Sequence, residues 1–203
     1  MTTALFTGDD GLPRCHWCAA TPAYVACHDH DWGRPKRSER ELFETPSLEA
    51  FQSGLSWLTI LNKREGFRRA FAHFDVDAVA RFGPIDVERL LQDAGVVRHR
   101  GKIEATINNA QRMVELRAEA GSFAAFIERF RPPLSLPQGR SECAESKQLS
   151  KALKARGWRF VGPTTVYAFM QATGYVNDHA AGCHVRAQSG ASRSTLSGNT
   201  SSR

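Results

Sequence analysis

The sequence predicts an all-α fold, and three observations carry that prediction. Apolar residues recur at spacings of three and four through most of the chain. Helix-start and helix-stop residues bracket those periodic runs. Alternating apolar–polar runs, the mark of half-buried strands, are scarce.

Residues 1–13 are expected to be a disordered lead-in, residues 14–186 a single folded domain, and the Ser-, Thr- and Gly-rich segment 187–203 a disordered tail. Ser38 followed by Glu41 forms a capping box that opens a helix through Leu42 and Phe43. Pro46 is expected to stop or kink it, with a second helix from Leu48 to Leu55. Trp57, Ile60, Leu61, Phe67, Ala70, Phe71 and Phe74 continue the helical spacing. Asp86 to Leu91, Gly101 to Ala120 and Ser122 to Phe130 give further helical segments, and the Pro-rich run 131–139 reads as a loop. Ser146 to Arg156 is amphipathic and basic. A turn bounded by Gly157 and Gly162 follows it, and Pro163 and Thr164 open an apolar helix closed by Gly174.

At 203 residues the chain can bury a real core, either as one domain or as two closely packed lobes. No run approaches the roughly 18 apolar residues of a membrane span. The N-terminal residues lack a basic region followed by an apolar stretch, so the expected location is cytoplasmic. Net charge is +6, which favours a polyanionic partner such as nucleic acid. Five cysteines make an odd number without an export signal, and metal binding fits that pattern better than a disulfide framework.

Two soft-ligand pairs lie near opposite ends of the chain: Cys15 with His28, and His179 with Cys183 four residues on, the spacing of one helical turn. Two thiolates and two imidazoles fill a zinc tetrahedron and leave no position for substrate. Cys18, Cys27 and His184 compete as ligands, and ordinary buried cysteines beside hydrogen-bonded histidines would give the same pattern. Closing a loop over most of the chain costs about 4–5 kcal/mol. A structural zinc site, at about 10–16 kcal/mol of apparent binding energy, can offset that. Such a metal serves stability, not turnover.

The Gly157–Gly162 turn runs into a helix start, where backbone N–H groups can receive a phosphate oxygen. Lys147, Lys151, Lys154, Arg156 and Arg159 surround it, and Arg98-His99-Arg100-Gly101-Lys102 forms a second basic cluster at another helix start. A helical hairpin with a solvated basic face is the plain alternative. Trp17, Tyr24 and Trp32 lie near the first soft-ligand pair, and Glu49 precedes Trp57 by eight residues. Aromatic faces with one carboxylate suit a flat, electron-poor heterocycle, although tryptophans at helical spacing also build cores.

Taken together, the stretches RCHW (14–17), YVACHDHDWG (24–33), LEAFQSGLSWLTILNKRE (48–65), LLQDAGVVRHRGKIEATINNA (90–110), LSKALKARGWRFVGPTTVYAFMQATGYVNDH (149–179) and AGC (181–183) resemble the 3-methyladenine DNA glycosylase I family of helix-hairpin-helix glycosylases. The resemblance implies a helical glycosylase-like bundle whose structural zinc, on Cys15, His28, His179 and Cys183, joins the N- and C-terminal segments. It implies that Glu49 contacts the purine, that Trp57 stacks on it, that Trp17 and Tyr24 line the pocket, and that Gly157, Gly162 and Thr164 belong to the hairpin that grips DNA. The implied partner is double-stranded DNA with alkylated bases, bound by a monomer away from membranes. Four positions depart from the family pattern: Cys27 stands where a Tyr is usual, Ala50 and Phe51 follow Glu49 in place of smaller or glycine residues, and Pro46 interrupts the helix; the sequence after Cys183 also diverges.

The expected reaction is hydrolysis of the N-glycosidic bond of 3-methyladenine by a monofunctional enzyme, because no lysine is marked as a Schiff-base nucleophile. Asp178 is expected to hold His179 and not to activate water. Two other readings remain: a non-enzymatic zinc-stapled DNA-binding module, and a redox sensor using Cys15, Cys18 and Cys27.

Overall fold

Ser38 opens its helix as the sequence predicts. Its hydroxyl accepts from the Glu41 amide at 3.2 Å while the Glu41 carboxylate accepts from the Ser38 amide at 3.1 Å. The computed structural model describes residues 4–133 and 139–191. In order they form β1 (Leu5–Thr7), β2 (Pro13–Cys15), α1 (Pro22–His30), α2 (Glu39–Gln52), α3 (Trp57–Ala70), α4 (Val76–Ala80), α5 (Pro84–Gln92), α6 (Arg100–Ala120), α7 (Phe123–Glu128), α8 (Ala144–Ala155), α9 (Pro163–Ala172) and α10 (Arg186–Ala191). The all-α expectation holds apart from one short ribbon, and no helix among the described residues is long and apolar enough to cross a membrane.

The chain divides into two compact units. One comprises residues 1–35, 133–140 and 171–203; the other comprises residues 36–132 and 141–170. In the first, β1 and β2 pair antiparallel with Leu5 opposite Cys15. This ribbon replaces much of the expected disordered lead-in. Three-residue strands are too short for alternation to reveal. Arg14 ties the ribbon down, bonding Asp10 within it and Asp29 on α1. At the other end, α10 occupies the start of the expected disordered tail, and residues 192–203 lie outside the described part.

In the second unit α6 packs against α2, α4, α5 and α7. Phe43, Phe51, Phe67, Phe71 and Phe74 form its buried aromatic core, with the Phe51 and Phe67 rings 4.6 Å apart. Pro46 does not end α2, contrary to expectation; the helix runs through it to Gln52. Thr45 and Ser47, on either side of the proline, donate their hydroxyls to the carbonyls of Glu41 and Phe43 one turn back. Burial of Leu42, Phe43, Leu48 and Phe51 holds the helix together across the lost backbone bond.

Candidate functional site

The first unit gathers a compact donor set. Cys15, at the end of β2, His28 on α1, and His179 and Cys183 in the C-terminal segment place one ligand atom each within 4.8 Å of all the others, and all four are buried. His28 Nε2 stands 3.3 Å from His179 Nδ1 and 3.4 Å from Cys183 Sγ. His179 Nδ1 lies 3.8 Å from Cys15 Sγ and 3.9 Å from Cys183 Sγ. An ion bound tetrahedrally at about 2.3 Å to sulfur and about 2.0 Å to nitrogen sets its donors roughly 3.3–3.8 Å apart. The four residues therefore fit such an ion. Segment 177–182 is irregular and ends in a turn, not helical as the His179–Cys183 spacing suggested, and a Cys183 N–H to Ala180 carbonyl bond makes the turn.

The surrounding groups prepare these atoms as ligands. Burial lowers the pKa of His28, and lowers that of His179 to about 3, keeping both rings neutral. Burial pushes the Cys15 thiol up to about 12, so a thiolate there needs a cation beside it. The Ala180 amide already donates to Cys15 Sγ at 3.2 Å. His28 Nδ1 bonds Asp29 Oδ1 at 2.7 Å, which turns Nε2 toward the other donors. Gly33, at φ +75°, is a close approach: a Cβ there would lie 2.8 Å from His179 Nε2.

Asp29 is the functional residue that sequence reasoning missed. It accepts from His28, from His184 Nε2 at 3.2 Å and from Arg14 through both oxygens. Burial alone would raise its carboxyl, but the bonds from Arg14, His28 and His184 carry it well below the usual carboxylate range. An acidic residue immediately after a candidate ligand histidine was the available signal. The expectation that Asp178 holds His179 is corrected. Asp178 accepts from Gln171 Nε2 at 2.6 Å and from the Gly139 amide at 3.2 Å, and bonds no imidazole. Of the competing ligands, the Cys18 thiol donates to the Cys15 carbonyl, His184 serves Asp29, and buried Cys27 stays outside the four.

Trp17 sits at the centre of the aromatic cluster beside this donor set. Its ring centroid is 5.1 Å from Tyr24, 5.1 Å from Trp32 and 5.2 Å from His28, each edge-to-face. Trp32 in turn packs edge-on to His179 at 4.7 Å.

Glu49 and Trp57 belong to the second unit. Glu49 is buried in α2, and among the described residues it has no hydrogen-bond or ion-pair partner. Burial pushes its carboxyl up to about 8. Trp57 opens α3 behind the Ser56 cap, and its buried indole N–H has no partner among the described residues. Two orphaned polar groups on successive helices are costly unless a ligand satisfies them.

The turn between α8 and α9 carries Gly157 at φ +79° and a left-handed Phe160, which is 41% exposed. Asn109 clamps it from α6, donating to the Arg159 carbonyl at 2.9 Å and accepting from the Arg159 amide at 2.8 Å. Asn108 donates to the Gly157 carbonyl and Ser150 to that of Val161. Consecutive asparagines inside a long helix are poor for propensity and could have marked this clamp in the sequence. Gly162 faces open space and Thr164 is exposed. Lys151, Lys154 and Arg159 point outward, whereas Lys147 pairs with Glu142 and Arg156 with Glu119. In the second basic cluster Arg100 pairs with Glu88, and Lys102 is buried, so only part of that cluster faces solvent.

The profile of the methyladenine glycosylase family matches residues 17–187. The chain belongs to that family. It is 46% identical over 179 residues to DNA-3-methyladenine glycosylase 1 of Escherichia coli, covering 85% of this chain and 96% of that protein. It is 41% identical to the DNA-3-methyladenine glycosylase of Haemophilus influenzae, covering 84% and 96%. A solved structure of a Tyr-to-Phe variant of 3-methyladenine DNA glycosylase I in complex with 3-methyladenine superposes with a TM-score of 0.81 at 35% identity, covering 85% of this chain and 97% of the other. The helical fold described above is the fold of this family.

Proposed function

We propose that the protein is a base-excision repair glycosylase that hydrolyses the N-glycosidic bond of 3-methyladenine in alkylated double-stranded DNA and releases the free base. The observation that carries this reading is Glu49, a buried carboxyl without an internal partner in a chain of the methyladenine glycosylase family.

A purine methylated at N3 while still joined to its sugar is a cation, and its positive charge already weakens the glycosidic bond. The protein's task is selection more than activation. A dry site that disfavours a lone carboxylate holds a purine cation strongly, because each charge relieves the other. Glu49 accepts hydrogen bonds from the N–H edge of the base. Ordinary adenine brings no charge and leaves that carboxyl uncompensated. Trp57 supplies an electron-rich face, a cation–π contact contributing about 0.5–2 kcal/mol. The nucleotide must first leave the duplex stack, which costs least for a damaged pair. Water then attacks the sugar carbon.

Zinc is the ion we assign to Cys15, His28, His179 and Cys183, on the chemistry of that donor set. Bound there it supplies a closed crosslink between the N- and C-terminal segments, with no open position for substrate. The Gly157–Gly162 turn, with Thr164 at the start of α9, is assigned to the DNA backbone as the hairpin of a helix-hairpin-helix motif. Lys102 is the only buried lysine among the described residues and its ammonium is bonded to two carbonyls, which supports hydrolysis without strand cleavage.

The test is release of free 3-methyladenine from methylated duplex DNA. Glu49→Gln and Trp57→Ala should lose at least about tenfold in single-turnover rate while keeping their fold. Duplex binding without release of base would favour the zinc-stapled DNA-binding module instead.

A further inference from the structure

We propose that Lys102 is a positioning residue for base excision: it pins the turn that sets Glu49 and Trp57 relative to one another. This rests on the assignment of those two residues to the base.

Glu49 lies one turn from the end of α2 and Trp57 is the first residue of α3, so residues 53–56 fix their relation. All four residues of that turn are exposed, and none has an apolar side chain buried in the core. Within the turn, Leu55 N–H reaches the Gln52 carbonyl at 2.6 Å and Ser56 caps α3, but these are local bonds. The tie to the body of the unit comes from α6. Lys102 Nζ donates to the Phe51 carbonyl at 2.9 Å and to the Ser53 carbonyl at 2.6 Å, one at the end of the Glu49 helix and one in the turn.

The setting argues for a purpose beyond filling space. Lys102 is 6% exposed and no carboxylate pairs with it among the described residues. Burial alone lowers the ammonium's pKa, a cost that a methionine of similar length would avoid. What the lysine offers in return is a rigid pair of donors at a helix C-terminus, where positive charge is favoured. The ring of Phe51 is held at the same time between Phe67 and Phe71, at 4.6 and 5.9 Å. The end of α2 is thus fixed from the core side by an aromatic ring and from the turn side by an ammonium.

The experiment compares Lys102→Met, Lys102→Arg and Glu49→Gln with the parent protein on methylated duplex DNA. Single-turnover rate, half-saturating protein concentration and the Trp57 component of fluorescence (parent minus Trp57→Phe) are read in each. Lys102→Met should keep its circular dichroism and metal content and lose about ten- to a hundredfold in rate, with a far smaller change in half-saturation. Its Trp57 emission should shift. Lys102→Arg, which can still donate to both carbonyls, should recover most of the rate. A Lys102→Met protein with parental rate and unchanged Trp57 emission overturns the proposal. If Lys102→Met does not fold, Gly54→Ala decides. Gly54 is at φ +83° with open space around its Cα, so alanine strains the same turn and leaves the core alone. A slowed rate with shifted Trp57 emission then supports the pin, and parental behaviour overturns it. Glu49→Gln separates the two levels: if it excises like the parent, the base assignment itself fails. If it is slow while Lys102→Met is not, only the pin fails.

Discussion

Glu49→Gln should stabilise the protein progressively as pH rises, while impairing excision. In the unfolded chain the carboxyl titrates near its ordinary 4.5, and in the native protein burial pushes it up to about 8. Between those values the unfolded carboxyl has lost its proton and the native one retains it. The unfolded state then binds fewer protons, and stability falls as pH increases through that window. Each unit of difference is worth about 1.4 kcal/mol, so the parent loses about 3 kcal/mol between pH 4.5 and 7, and about 5 kcal/mol by pH 8 and above. Glutamine does not titrate. Its own buried amide, without a partner, costs about 1–3 kcal/mol, but by the same amount at every pH. The informative quantity is therefore the difference between the two proteins as a function of pH, in which all other titrations cancel. Urea unfolding followed by circular dichroism at pH 5, 7 and 8.5 measures it. The gap should move in favour of Glu49→Gln by several kcal/mol across that range, and a gap that stays flat would refute the claim that Glu49 is buried without a partner.

Asp29→Ala should weaken metal binding about 10- to 100-fold, measured by competition with a chromogenic chelator, because His28 loses the carboxylate that orients it. Saturating zinc should return most of its thermal stability. Asn109→Ala should destabilise the protein by about 1–3 kcal/mol, since it releases both bonds to the Arg159 backbone. It should also weaken binding to undamaged duplex, read by fluorescence anisotropy, without changing the number of charges that the protein brings to the phosphates.

Much of this was legible in the sequence, for reasons that differ between elements. The Ser38–Glu41 box, the Ser122 cap and the glycines around the α8–α9 turn act through bonds only a few residues apart, and local spacing displays them. Pro46 misled because local propensity argues for a break, whereas the packing of Leu42, Phe43 and Phe51 maintains the helix. The N-terminal ribbon escaped notice because its stability comes from Arg14 bonding Asp29, fifteen residues away, and not from strand alternation. The soft-ligand residues could be counted but not chosen between; the distances separate Cys15, His28, His179 and Cys183 from Cys18, Cys27 and His184. Asp29 and Asp178 show the same limit in reverse. Both adjoin a candidate ligand histidine, and only the three-dimensional arrangement reveals that Asp29 supports its neighbour while Asp178 serves Gln171 and Gly139. Lys102 gave no sequence signal, since a lysine in a basic run reads as solvated.

Binding of the 3,9-dimethyladenine cation, which keeps the charge that the base carries in DNA, to the metal-loaded protein, followed by quenching of tryptophan emission, tests the central claim most directly. The account predicts saturable quenching that adenine does not produce and that Glu49→Gln weakens at least about tenfold at unchanged fold. Equal binding of that cation by the parent and Glu49→Gln, or equal binding of it and of adenine by the parent, would contradict it.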